Sequence, residues 1–234
     1  MIKNNKIIAL TPARGGSKSV HYKNLQLLGG KTLLSWPIET ALDIEEIDHV
    51  FVSTDDQKIA KEAKRLGAEI HERPKELASD TALVIDTIRH LKAELSEKKT
   101  DVDIMILLEA TCPFRESSVV LKCINRLIDE DLDSIATFHQ AELNPERSWK
   151  LENDVPKPFI DGAIPWKPRQ QLTPAYQLNA VAYVFWLDRL PDDGVSLLFG
   201  RMGAEIIDSE RIIDIDTKRD FSIANCMLKN DEGI

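Results

Sequence analysis

Cysteine is scarce in this chain of 234 residues: Cys112, Cys123 and Cys226 are odd in number and widely spaced. With no Cys-x-x-Cys among them, neither a disulfide framework nor a cysteine zinc site is expected, and small core positions are their natural role. The five histidines, His21, His49, His71, His90 and His139, never fall at metal-ligand spacing, so surface or capping roles are expected. Long apolar runs are missing too. None approaches the roughly 20 residues that span a bilayer, and Met1 to Lys6 lacks the apolar centre of a secretory signal; a cytoplasmic protein is expected. Basic residues do not dominate. The formal net charge is -9, which argues against general binding of nucleic acid or anionic membranes and requires any phosphate site to be local. Gly-x-Gly-x-x-Gly is absent, and although Gly29-Gly30-Lys31-Thr32 has the tail of a P-loop, the leading glycine of that pattern falls on Leu25. No repeat, low-complexity tract or flexible linker divides the chain, so residues 1–234 are expected to form a single domain.

What is there begins at Thr11-Pro-Ala-Arg-Gly-Gly-Ser-Lys18, directly after the apolar run Lys6 to Leu10 and shortly before Lys23-Asn24. Gly15 and Gly16 allow a tight turn and a close approach of backbone amides to an anion, while Arg14, Lys18 and Lys23 supply positive charge. A strand opening into such a turn is a phosphate cradle; taken alone, Arg-Gly-Gly-Ser-Lys serves equally as a solvated surface turn.

Beyond it, strand and helix patterns alternate. Helical spacing over Leu33–Leu42, Ile59–Leu66, Ala82 to about Lys98, Ser117–Asp129 and Thr217–Leu228 separates short apolar runs at His49–Ser53, Ala68–His71, Asp103–Glu109 and Ser134–Phe138. This predicts an α/β fold with a mostly parallel sheet. Regularity fails between His139 and Tyr176, where six prolines exclude long helices and Trp149–Glu152 with Lys157–Ile160 can pair about Asn153-Asp154. Loops this long are usually functional, and a lid or a dimerisation arm is expected for residues 139–176.

Polar clusters stand at the ends of the expected strands: Arg14 to Asn24, Ser53 to Asp56, Arg73-Pro74 and Glu109 to Arg115. In open parallel sheets ligands bind at those ends. A last cluster, Arg211 to Thr217, places Asp214 and Asp216 on one side of an extended segment. Such a pair either holds magnesium beside a polyphosphate or, for Asp216 with Thr217, caps the terminal helix.

On these residues the chain resembles the acylneuraminate cytidylyltransferases (CMP-sialic acid synthetases). Ala13 to Lys18 with Lys23-Asn24, Val52 to Asp55, Arg73-Pro74 with Glu76 to Thr81, Arg169 to Leu172, Asn179 and Asp214 to Thr217 follow the family's order over nearly the whole chain. The resemblance implies a three-layer, Rossmann-like nucleotidyltransferase fold with a small dimerisation excursion, working as a homodimer. It implies transfer of CMP from CTP to the anomeric hydroxyl of a nonulosonic acid, with release of pyrophosphate. Arg14, Lys18 and Lys23 would bind the triphosphate, and Asn24 and Arg73 would read the nucleoside. Ala13, Gly15, Gly16, Ser17 and Asp80 would complete the nucleotide site, and Asp216 with Asp214 would hold Mg2+. The sugar would meet Glu109, Arg169, Gln170 and Asn179, with Arg147 reaching over from the partner subunit.

Three departures from the family pattern stand out, the first bearing on the phosphate grip and the others on the acceptor. Ser19-Val20-His21 replaces the family's Gly-x-Pro after the loop lysine, Glu109 stands where an amide is usual, and Asn179-Ala180 replaces Asn-Gly, narrowing the space behind the asparagine. Cytidylyltransferases for legionaminic, pseudaminic or 3-deoxy-octulosonic acid, and a noncatalytic sugar-nucleotide sensor, are the competing readings.

Overall fold

The computed structural model describes residues 2, 4–17, 19–208, 210 and 212–231. Strand β1 (Ile7–Pro12) shows why the sheet is covered on both faces: Ile7 and Ala9 pack into one layer, Ile8 and Leu10 into the other. Next, Gly29 and Gly30, both at positive φ, turn a short hairpin of β2 (Leu27–Leu28) and β3 (Lys31–Thr32). The apparent P-loop tail is therefore a hairpin turn. Helix α1 (Ser35–Leu42) tolerates Pro37 in its first turn. It leads to β4 (His49–Thr54) and α2 (Gln57–Arg65), which Asp56 caps by accepting from the amides of Lys58 and Ile59. Then come β5 (Glu69–Glu72), α3 (Val84–Glu97), β6 (Ile104–Leu107), α4 (Ser117–Asp129) and β7 (Ser134–Gln140). Hairpin strands β8 (Trp149–Glu152) and β9 (Val155–Pro158) precede the long β10 (Tyr176–Trp186), β11 (Met202–Ile206) and α5 (Lys218–Asp231).

The fold is α/β. Its main sheet has seven strands in the order β11-β7-β10-β6-β1-β4-β5, all neighbours parallel except those of β10. Ile38 of α1, Ile59 of α2 and Ile124 of α4 cover one face; Ile85, Ile88 and Leu91 of α3 cover the other. Register pairs Leu10 with both Phe51 and Leu107, so the carboxyl ends of β1, β4 and β6 finish side by side. That alignment gathers their polar tails.

Two features go beyond the sequence reading. β10 and β11 add to the sheet, and the small hairpin pairs Trp149–Glu152 with Val155–Pro158 rather than with Lys157–Ile160. Asn153 and Asp154 both adopt positive φ and close a two-residue turn, which fixes the earlier register. The arm between β7 and β10 leaves Leu151, Phe159 and Trp166 exposed, the last at 84%.

Candidate active site

The carboxyl ends of β1, β4 and β6 open onto a cleft of about 460 Å³. Arg14 spans its wall, donating to the Ser79 carbonyl at 2.8 Å and pairing with Asp80 at 3.0 Å. Ala13 is buried beneath, and Ser17, Lys23 and Asn24 line the cleft. Neither Gly15 nor Gly16 has a positive φ. What requires glycine at 15 is Asp56, whose Cβ would lie 2.8 Å from an added Cβ, and the Gly15 amide donates to Asp55 Oδ1 at 3.0 Å. Lys18 lies outside the described residues.

Asn24 is buried, its Nδ2 donating to the Arg14 carbonyl at 3.3 Å. Arg73 is gripped by one residue of β4: its Nε donates to Ser53 Oγ at 3.0 Å and its Nη2 to the Ser53 carbonyl at 2.8 Å. Burial lowers its pKa to about 10 against the opposing pull of Asp55, which leaves it charged at neutral pH.

The Asp214–Asp216 pair is set by the residue between them. Ile215 is fully buried and its amide donates to the Thr111 carbonyl at 2.8 Å. Both aspartates are exposed, and they line adjoining cavities: Asp216 the first cleft, Asp214 a second of about 690 Å³. The carboxylate of Asp216 does not cap α5. Thr217 and Asp220 do so reciprocally, the Asp220 carboxylate accepting the Thr217 amide at 2.7 Å and Thr217 Oγ1 accepting the Asp220 amide at 3.3 Å. Asp216 instead pairs with Lys23 Nζ at 2.8 Å.

Glu109 stands where the two cavities meet. Burial, and next the nearby Asp214, raise its pKa against the pull of Arg115. In the second cavity, Asn179 Oδ1 accepts from Thr137 Oγ1 at 2.6 Å and from the Val181 amide at 3.2 Å. The buried Nδ2 of Asn179 and Nδ1 of His139 have no partner among the described residues. Ala180, at φ 57°, lies where the pairing of β10 with β7 shifts register. A left-handed backbone, which glycine adopts without strain, is thus what the departure at 180 affects.

Sequence reasoning does not find His139 or Tyr183 as site residues; both line the second cavity, Tyr183 with its pKa pushed up to about 12 by burial beside Glu109 and Asp214. The available signal is the apolar run from Ala180 to Trp186, which marks β10. Arg147, Arg169 and Gln170 are not brought beside Glu109 within one chain. They line a separate cavity of about 320 Å³ at the root of the arm, where Arg147 donates to the Lys167 carbonyl at 2.9 Å. Glu142 borders this cavity and the second one.

A family model described as cytidylyltransferase matches residues 8–156. The chain belongs to the cytidylyltransferase family. It is 31% identical over 229 residues to post-translational flagellin modification protein B of Campylobacter coli, covering 96% of each. It is likewise 31% identical over 227 residues to the N-acylneuraminate cytidylyltransferase of Escherichia coli O18:K1:H7 (strain RS218 / NMEC), covering 94% of this chain but 51% of that one. The chain thus spans about half the length of that relative and nearly all of the other. Among solved structures it resembles CMP:2-keto-3-deoxy-manno-octonic acid synthetase complexed with CTP, with TM-score 0.70 and 15% identity over 97% of this chain and 100% of that one. It also resembles 4-diphosphocytidyl-2C-methyl-D-erythritol synthase, with TM-score 0.68 and 16% identity over 96% and 99%. At these identities the likeness is one of fold. Among the described residues no helix is long and apolar enough to cross a membrane.

Proposed function

We propose that the chain transfers CMP from CTP to the anomeric hydroxyl of a nonulosonic, sialic-type acid, giving the CMP-sugar and pyrophosphate. The observation that carries this reading is the junction at Glu109: a cleft bearing Arg14, Lys23 and Arg73 meets a second cavity lined by the polar residues Asn179, His139 and Tyr183. The first suits a nucleoside triphosphate and the second a polyhydroxylated acceptor, with the reacting phosphorus between them. Attack at the α-phosphate spreads negative charge over nonbridging and leaving oxygens, which fixed cations stabilise most.

Lys23, nearly buried, and Arg14 lie along the path of the triphosphate. Arg73, locked to Ser53, and Asn24 present fixed polar groups for the base and ribose. The donor set fits magnesium: Asp214 and Asp216 are exposed hard-oxygen ligands beside the triphosphate cleft. Asp216 would hold the ion, Asp214 standing on the adjoining wall, and the bound ion would supply charge neutralisation at the phosphates. Glu109, with its charge disfavoured by burial, faces the acceptor and orients its hydroxyls.

A second reading, activation of another acidic ulosonate such as legionaminic or pseudaminic acid, is favoured by Glu109 in place of an amide and by the end-to-end likeness to a flagellin modification protein. Pyrophosphate release with CTP and magnesium across a panel of nonulosonates separates the two. Turnover restricted to the legionaminic or pseudaminic members selects the second reading, and no turnover with any member sinks both.

A further inference from the structure

A cluster of side chains outside the cavities described above has the composition of a transition-metal site. His71 of β5 is buried against α3, where His90 and Glu94 share one helical face at four-residue spacing. His71 Nε2 lies 2.8 Å from His90 Nδ1 and 3.5 Å from Glu94 Oε2. One ligand atom from each of the three residues falls within 4.8 Å of the others. The two histidines are 19 positions apart and on different elements, so no sequence motif reveals the pair.

We propose that His71, His90 and Glu94 bind one zinc-class divalent ion, with water as fourth ligand, joining strand β5 to helix α3. Two imidazoles and one carboxylate suit zinc, nickel or copper better than magnesium. Zn–N bonds of about 2.0–2.1 Å at tetrahedral angles set two nitrogens roughly 3.3 Å apart. The half-buried ring of His90 therefore moves outward slightly on binding, while Glu94 Oε2 already stands at a suitable separation. Lys98 holds the other Glu94 oxygen at 2.5 Å, leaving Oε2 for the ion. One carboxylate with two neutral rings would leave a net positive charge at the site, which would polarise the water ligand.

Burial pushes the pKa of His71 down to about 4, so its ring is neutral at physiological pH, as a metal ligand must be. The outer shell is also in place. His71 Nδ1 lies 2.8 Å from Ser53 Oγ, which accepts from Arg73 Nε at 3.0 Å. With the ion on Nε2, the proton sits on Nδ1 and is donated to Ser53, the orienting bond usual for metal-bound imidazoles. Arg73 lines the first cleft, so this outer shell ends on a residue of the candidate active site.

The test is titration of the full chain with zinc alone by calorimetry, in excess magnesium to occupy Asp214 and Asp216. One zinc per chain is expected, with binding weakened at least about tenfold in His90→Ala and in Glu94→Gln, since even outer-shell changes cost about 10–100-fold. His49→Ala, at an exposed histidine paired with Glu69, is expected to bind as the parent does. Cobalt should give a visible tetrahedral absorption in the parent that both ligand variants lose. Absence of stoichiometric zinc binding, or equal binding and equal cobalt spectra in Glu94→Gln, whose changed group is partly exposed, overturns the proposal.

Discussion

Lys23 Nζ lies 2.8 Å from Asp216 Oδ1, although 193 positions separate the two residues. The approach is set by the docking of α5 on the β2–β3 hairpin, where Leu28, Leu33, Ile215 and Ala224 share a buried cluster with Trp36 and Phe221. The same packing that buries Ile215 leaves Asp216 at the cleft. Its carboxylate is free of capping duty, because Thr217 and Asp220 perform that.

Asp216→Ala should therefore remove most turnover while CTP still binds, with little loss of stability, since the pair it breaks is largely exposed on the aspartate side. Thr217→Ala should do the reverse, costing about 1 kcal/mol of stability through the lost cap and sparing the chemistry. Equilibrium unfolding with steady-state kinetics on both variants checks this. Full activity of Asp216→Ala in magnesium buffer would falsify the metal-holding role.

On the proposed function, nucleotide choice should follow from Arg73 and Asn24, both buried and both held by backbone or Ser53 partners. Fixed donors of this kind reject a base that cannot pair with them, because unpaired buried polar groups cost about 1–3 kcal/mol. CTP should be used about 10-fold or more in preference to UTP, ATP or GTP. Matching kcat/KM for any of these three sinks the assignment.

Much of this was legible in the sequence, and the parts that were not have definite causes. The strand ends that carry Arg14, Arg73 and Glu109 follow from apolar runs bounded by polar residues, a local signal. The roles of Asp216 and Thr217 are ambiguous in the sequence because capping and metal binding use the same residue types; Asp220 with Thr217 supplies the cap, and the Asp216 carboxylate pairs with Lys23 instead. Asn179 of β10 is found by its motif, whereas Tyr183 of the same strand is missed, since β10 pairs with β7 and β6 and nothing near Tyr183 in sequence reports those partners. His71 and His90 looked like surface histidines for the same reason.

Glu109 should show its burial through pH. Its pKa is raised in the folded chain, so the folded state carries a penalty that is absent below the ordinary carboxylate pKa and grows as pH rises through and above it. Glu109→Gln should accordingly raise the Tm at neutral pH and give no gain in acid. It should also reorder kcat/KM among sugars that differ at acylamino or hydroxyl positions, because the amide donates where the carboxylate accepts. A Tm difference independent of pH contradicts the burial argument; an unchanged preference order places Glu109 outside the acceptor pocket.

Ala180 holds φ 57° without the freedom of glycine. A left-handed L-residue costs roughly 1–2 kcal/mol, partly offset by the greater chain entropy that glycine would bring to the unfolded state. Ala180→Gly should therefore raise stability by about 0.5–1 kcal/mol, read from the urea midpoint. A lower midpoint would show that the methyl group packs usefully in the cluster it shares with Cys112 and Val181.

The second cavity poses a charge problem whose solution predicts an oligomer. Its lining includes Glu109, Glu142, Glu210, Asp214 and Asp220, and no lysine or arginine among the described residues. An acidic sugar cannot sit there unless a cation arrives. One source would be the arm of a second copy. On that arm the exposed Phe159, Ile164 and Trp166 form more apolar surface than a free loop carries and are best covered by a two-fold partner. Arg147 on that arm would then reach the substrate carboxylate of the neighbouring subunit. Arg147→Ala and Asp216→Ala should each be inactive alone, yet mixing them should restore part of the activity, because one site of the mixed dimer keeps both groups. No recovery despite demonstrated subunit exchange sinks the trans role of Arg147; a monomer at working concentration removes the arrangement altogether.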